Sequence, residues 1–160
     1  MISNVLIVRE NSKLQATLNK IDEFEERWKN VNCVDTTDWS NPVPSFINQL
    51  RNMIQLSKII TKGALMRDEF RGSHYKPEFD LNQPDDFHPD TYLVFEKQKA
   101  VGKVNEEDFA SEHLAYMKRF AENNKKWLKS TIATFKNGGP EITYEDVDES
   151  LIAPRPRKYD

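Results

Sequence analysis

The residues of this chain best suited to chemistry lie together in one segment, from Arg67 to Lys76. The segment sets cations, acids, a histidine and a tyrosine at the end of an apolar helical pattern. If the helix continues through it, Arg67 and Arg71 share a face, where two planar guanidinium groups could clamp carboxylates or backbone carbonyls. The plainer interpretation, favoured on the residues alone, is a helix C-terminus with cations on its dipole and Gly72 as a left-handed cap.

Other candidate sites are weaker. The run Asp85–Asp90 holds acids and one histidine, but its composition favours a solvated loop over a metal site. Cys33 is the only cysteine, so neither an intrachain disulfide nor a cysteine zinc cage can form, and nothing nearby in sequence would activate its thiol. None of the five glycines falls in a nucleotide-binding frame. We therefore expect no catalytic, cofactor-binding or metal residue in this chain.

Composition narrows the classes of partner. The chain has 160 residues, of which 38% are hydrophobic and 31% charged, and its net charge is -3. That balance gives no electrostatic case for nucleic acid or an anionic membrane as a partner. No run approaches the roughly 20 apolar residues of a membrane-spanning helix, so we expect the membrane to be reached only through another protein.

Two long helices must position the segment. The first is predicted from Ser12, as N-cap, to about Val31, and the second from Ser45 to Arg71. Between them, two prolines disfavour helix. Because a short connector makes sequential helices neighbours, we predict that the two pack antiparallel, with Gly63 allowing close helix approach. The predicted contacts set Leu14, Leu18, Ile21 and Trp28 against Leu50, Met53, Ile60 and Ala64.

The remaining elements are shorter. Val5–Val8 and Thr91–Phe95 are strand-like in composition. A third helix is predicted from a capping arrangement at Asn105–Asp108. Asn-Gly-Gly at 137–139, between two alternating runs, predicts a β-hairpin, and the proline-rich tail 153–159 cannot be helical.

The Arg67–Lys76 segment resembles R-x-E-S-R-G-A-H-Y-[RK] of the flavoprotein subunits of succinate dehydrogenase and fumarate reductase, and L-aspartate oxidase carries a similar segment. Phe70 stands where the family has serine, and Ser73 where it has alanine. The family runs almost directly from this segment to a W-L-K motif, whereas residues 80–126 intervene here, so we interpret them as an insertion carrying the extra helix. Other stretches resemble the family in the same order: Asp35–Asn41, Gln49–Leu56, Gly63–Leu65, Trp127–Thr131, Glu141–Val147 and Pro154–Tyr159.

The resemblance implies a C-terminal domain spanning residues 1–160. Its expected fold is mainly α, a spectrin-repeat-like up-and-down helical bundle with a small C-terminal β-hairpin. The parent enzyme would interconvert succinate and fumarate with FAD and pass electrons to an iron–sulfur subunit and quinone. The family's flavin-binding and catalytic residues lie in earlier domains, so the resemblance implies none here and an inactive fragment.

The resemblance also implies partners. They are the flavin-binding domain of the same subunit and the iron–sulfur subunit, with the membrane contacted only through an anchor subunit. The expected location is cytoplasmic, at the inner face of the cell membrane. The residues expected at the interface are Arg67, Arg71, Gly72, His74 and Tyr75.

Two alternatives remain at this point. One is a free-standing helical adaptor with no catalytic parent, which should begin with its own capped element, whereas this chain begins in what resembles mid-family sequence. The other is the matching domain of L-aspartate oxidase, against which the Trp39-Ser-Asn connector and the Pro154-Arg-Pro-Arg tail argue.

Overall fold

The computed structural model describes residues 2–157, and over this range it is mainly α with a C-terminal hairpin, as predicted. Single 3₁₀ turns lie at Pro77–Phe79 and Glu106–Asp108. No helix in the described range is both long enough and apolar enough to cross a membrane. The helices and strands are α1 (Ile2–Val5), α2 (Asn11–Trp28), α3 (Val43–Met66), α4 (Pro89–Ala100), α5 (Ser111–Trp127), β1 (Lys129–Lys136) and β2 (Gly139–Asp146).

The chain divides into two compact units. The first comprises the chain up to Phe79 together with Thr131–Thr143. The second comprises Asp80–Ser130 and the chain from Tyr144 onward.

In the first unit α2 and α3 run antiparallel. Leu14, near the start of α2, shares a buried cluster with Ala64 near the end of α3. At the opposite ends, Trp28 donates its indole N–H to the carbonyl of Ile47 at 3.1 Å. The start of α2 thus lies against the end of α3, and the end of α2 lies against the start of α3, which confirms the predicted antiparallel pairing.

The face of α3 that packs against α2 was predicted correctly at Ala64, which shares a cluster with Leu14, but wrongly at Leu50, Met53 and Ile60. Met53 and Phe46 are each 62% exposed, and Leu50 and Ile60 are also exposed, whereas Ile54 is 8% and Thr61 0% exposed. The inward face is thus displaced by about one residue from the more apolar stripe. The polar side chain of Thr61 is accommodated on this buried face because its hydroxyl donates a hydrogen bond to the carbonyl of Ser57.

A second polar residue on the inward side of α3 is held by ion pairs with α2. The Lys58 ammonium pairs with Asp22 and Glu25 of α2, each at 2.7 Å. In α2 the prediction is more accurate: Leu14 and Ile21 are buried, and Leu18 and Trp28 are half-buried.

Several predicted boundaries shift. Glu10 rather than Ser12 holds the N-cap position of α2, which ends at Trp28, and α3 begins two residues before Ser45. The Asn41 side chain accepts from the Val43 N–H at 3.0 Å, which supports the earlier start. Val5 ends a helix instead of opening a strand, although Val8 forms a parallel bridge with Tyr75.

The second unit has its own aromatic core between α4 and α5. The rings of Phe87 and Tyr116 lie 4.9 Å apart, as do those of Tyr92 and Phe120. The core also holds Phe95, Leu114 and Met117. The segment interpreted as an insertion therefore contains two helices rather than one, while its status as an insertion stays a prediction.

Two local predictions in this segment were wrong. Thr91–Phe95 is helical, because Pro89 occupies the first turn of α4 and His88 accepts from the Asp90 N–H at 3.3 Å. The helix predicted from Asn105 begins only at Ser111. Asn105 bonds Asp108 at 2.8 Å, but around a 3₁₀ turn.

The predicted hairpin is confirmed. Its turn is Asn137-Gly138, with φ of 51° and 79°, the left-handed pair that a two-residue hairpin requires. Gly63 does not serve a close helix contact as predicted: a Cβ there would meet the Thr131 side chain of β1 at 3.7 Å. The tail is non-helical over 153–157, as predicted, and residues 158–160 lie outside the described range.

Candidate functional site

The candidate site is the segment that follows α3, residues 67–76, which we call the arginine corner. Arg67 is extended, with φ −102° and ψ 97°, so the helix has already ended. Arg71 and His74 exchange both backbone hydrogen bonds at 3.0 Å around Gly72, whose φ is 57°. Gly72 is thus left-handed as predicted, but in a tight turn rather than as a helix cap. The prediction that Arg67 and Arg71 share a helix face was wrong for the same reason.

A buried carboxylate brings the two arginines together instead. Glu69 is 0% exposed, and its Oε1 and Oε2 accept from the Nε atoms of Arg67 at 2.5 Å and Arg71 at 2.9 Å. An unpaired carboxylate at this depth would lose its hydration without compensation. The corner is therefore fixed from its inner side by Glu69.

A second ion pair fixes the other end of the corner. Lys76 is 0% exposed, and its ammonium donates to Asp68 Oδ1 at 2.8 Å and to the Leu65 carbonyl at 3.1 Å. Asn11, at the start of α2, donates to the same Asp68 oxygen at 3.2 Å. This network ties the corner to both long helices. Sequence reasoning missed Glu69 and Lys76 as buried ions, although the density of ionisable residues after Met66 pointed to the region.

His74 lies between two residues that set its protonation. Arg9 bonds His74 Nδ1 through Nη1, and His74 Nε2 lies 2.8 Å from the Arg67 carbonyl. A guanidinium only donates, so Nδ1 accepts and the proton sits on Nε2, which makes the imidazole neutral. Burial lowers the pKa of His74; Arg9 and Lys76 lower it further, against the opposing effects of the Arg67 carbonyl and Glu69. Sequence reasoning also missed Arg9, which lies 65 residues away.

An open cleft of about 300 Å³ borders the corner within the first unit. Its polar lining includes Arg9, Arg67 and His74. Its other walls are Ile59, Ile60, Gly63, Ala64, Thr131, Ala133 and Ile142. Cations and branched apolar side chains together suit an anionic group carried on an aliphatic stem.

The weaker candidates form no comparable arrangement. The Cys33 thiol donates to the Asp35 carbonyl at 2.9 Å. In the run 85–90, whose last two residues begin α4, Asp86 pairs with His113 at 3.0 Å. Over residues 2–157, no group of three or more potential ligands is placed to hold a metal ion.

Comparisons with known proteins bear on the whole chain. A family described as "Fumarate reductase flavoprotein C-term" matches residues 1–159. The succinate dehydrogenase flavoprotein subunit of Bacillus subtilis is 37% identical over 99% of the chain, which corresponds to 21% of that protein. A fumarate reductase flavoprotein subunit of Helicobacter pylori J99 is 32% identical over 99% of the chain and 17% of its own length.

A solved structure has a similar fold. A mutant of E. coli quinol fumarate reductase FrdA superimposes with a TM-score of 0.61 at 20% identity, covering 92% of this chain and 19% of that one. The chain thus spans about a fifth of the length of these relatives.

Proposed function

Because the chain belongs to the fumarate reductase flavoprotein C-terminal family, we propose that it packs against the flavin-binding domain of its own subunit and offers surface to an iron–sulfur subunit. The parent enzyme interconverts succinate and fumarate with FAD and passes electrons through the iron–sulfur subunit to quinone. It is cytoplasmic, at the inner face of the cell membrane, and reaches the membrane through an anchor subunit. The names of the relatives, a succinate dehydrogenase and a fumarate reductase flavoprotein subunit, support the chemistry assigned to the parent enzyme.

The observation that carries the packing role is the exposed apolar stripe of α3, formed by Phe46, Leu50, Met53 and Ile60. It extends about 20 Å along the helix at the usual rise per residue. An exposed apolar stripe of this length on a protein surface is typical of an interface.

The outer side of the arginine corner belongs to the same proposal. Gly72 and Ser73 are exposed at the turn, and the Arg71 side chain is one-third exposed. Because Glu69 holds the inner side, the turn can meet a partner without losing its shape. Charged groups around a rigid turn suit the rim of an interface rather than its centre.

Association between this chain and the flavin-binding part of the parent subunit, produced separately, tests the proposal. We expect binding by calorimetry, weakened at least tenfold in Phe46→Ser or Met53→Ser, since each replaces a large apolar anchor with a hydroxyl. Leu151→Ser is the matched control, because Leu151 is exposed but lies outside the stripe. Absence of binding, or equal binding by all variants, would contradict the proposal.

A further inference from the structure

We propose that the cleft lined by Arg9, Arg67 and His74 binds the carboxylate of an aspartate or glutamate from the part of the flavoprotein subunit outside this chain. The proposal rests on the function proposed above, because it needs a neighbouring domain of the same subunit. It adds to that function a specific polar anchor at the edge of the apolar stripe.

Arg9 is the first reason. It is half-buried, its Nε donates to the Val5 carbonyl at 2.8 Å, and its Nη1 bonds His74. Among the ion pairs of residues 2–157, none includes Arg9, while Arg67 and Arg71 both pair with Glu69. A guanidinium has further N–H donors beyond these two bonds, and a partly desolvated cation is stabilised by an opposite charge.

The charge around the cleft is the second reason. Arg9 and Arg67 line the cleft, and the corner behind it holds two further cations, Arg71 and Lys76, against two carboxylates, Asp68 and Glu69. The corner is therefore locally positive in a chain whose net charge is -3. His74 adds no charge, because both ring nitrogens are engaged as in a neutral imidazole, and it fixes the Arg9 guanidinium at the cleft.

The shape of the cleft indicates what carries the carboxylate. Ile59, Ile60 and Ile142 provide apolar walls, which suit the methylene groups of an acidic side chain. The volume of about 300 Å³ exceeds one such side chain and admits part of the backbone that bears it. Ile60 belongs both to the cleft and to the exposed stripe of α3, so the cleft continues the proposed interface.

Affinity favours a carboxylate from the same subunit over a free acid. A single ion pair at an open site contributes about 0–1 kcal/mol, which is too little to retain a free carboxylate at ordinary concentrations. A covalently linked neighbouring domain supplies its groups at an effective concentration on the order of millimolar, and the apolar stripe adds to its binding. The occupant is therefore a side chain of the rest of the subunit.

Zero-length carbodiimide crosslinking of the intact subunit tests this inference. In an Arg9→Lys variant the new amine should form an amide with one aspartate or glutamate outside this chain, identified by mass spectrometry. Wild-type subunit is the control, because a guanidinium does not form this amide. Ala133→Lys is a second variant, which sets an amine at the exposed wall of the cleft without altering Arg9. If both variants fold and neither position 9 nor position 133 crosslinks to a residue outside this chain, the inference is overturned.

Two further results distinguish a carboxylate of the subunit from a free carboxylate, and the cleft proposal from the proposed function. Sodium acetate added to the chain alone should cause no saturable NMR shift of His74 below about 10 mM; saturation there would assign the cleft to a free carboxylate and overturn the inference. If Phe46→Ser weakens association while neither lysine variant crosslinks to the flavin-binding part, the cleft proposal fails and the proposed function stands. If the domains do not associate at all, the proposed function fails.

Discussion

At the scale of single residues, Glu69 decides how the arginine corner is built. Its carboxylate is buried and bonded to both Arg67 and Arg71, so neither arginine can be oriented without it. The sequence resemblance placed Arg67, Arg71, Gly72 and His74 together in one predicted interface. It could not indicate that a buried acid joins them, because a helical register would have turned Glu69 away from the face they share.

We predict that Glu69→Gln costs roughly 3 kcal/mol or more of unfolding free energy, because it removes the charge that compensates two partly buried guanidinium groups. Urea unfolding of the isolated chain measures the change. Glu26→Gln is the matched control, since Glu26 pairs with Lys29 at the surface and its loss should change stability by less than about 0.5 kcal/mol. Equal effects of the two substitutions would show that Glu69 is not a structural charge.

His74 should make stability depend on pH in a defined direction. Its pKa is lowered in the folded chain, so below the unfolded value of about 6.5 the unfolded state takes up a proton that the folded state does not. The contribution is fully present above about pH 6.5 and is lost as the pH falls towards the folded pKa. As the pH is lowered from about 7, the unfolding midpoint should fall less steeply in His74→Asn than in wild type.

The control for this prediction is His88→Asn, because His88 is exposed in the second unit. It should keep the pH dependence of the wild type. An unchanged slope in His74→Asn would assign the dependence to another group.

At the scale of elements, α3 carries two adjacent stripes. The sequence favours the stripe through Phe46, Leu50 and Met53 because it is the more apolar, yet the chain buries Ile54 and Thr61. An apolar pattern shows that a face must be covered, but not whether α2 or another domain covers it. The hairpin was predicted more accurately, because Asn137 and Gly138 determine its turn locally.

Neighbouring residues of α3 test the assignment of faces. Ile54→Ala should cost about 2–5 kcal/mol in the isolated chain, as expected for a buried aliphatic side chain. Met53→Ala should change stability by less than about 0.5 kcal/mol, because Met53 is exposed. Chemical unfolding measures the stability of both variants. A larger loss of stability in Met53→Ala than in Ile54→Ala would show that the Met53 face, and not the Ile54 face, packs against α2.

At the scale of the whole molecule, the role proposed for the chain is structural. None of its five glycines lies in a frame that cradles a dinucleotide phosphate. We predict that the purified chain shows no flavin absorption band and does not reduce a dye with succinate. Either a flavin band or dye reduction would contradict this prediction.

The division into two units could not be predicted from sequence, because the aromatic core around Phe87 and Tyr92 joins residues from a loop and two helices.

The order in which the units use the chain has a consequence for biosynthesis. The first unit needs Thr131–Thr143, yet about 50 residues of the second unit are translated between Phe79 and that segment. At roughly 5–20 residues per second, the ribosome takes several seconds to supply them. During that interval α2 and α3 lack the strand beside Gly63. Folding of the first unit is therefore completed only after the hairpin has been translated.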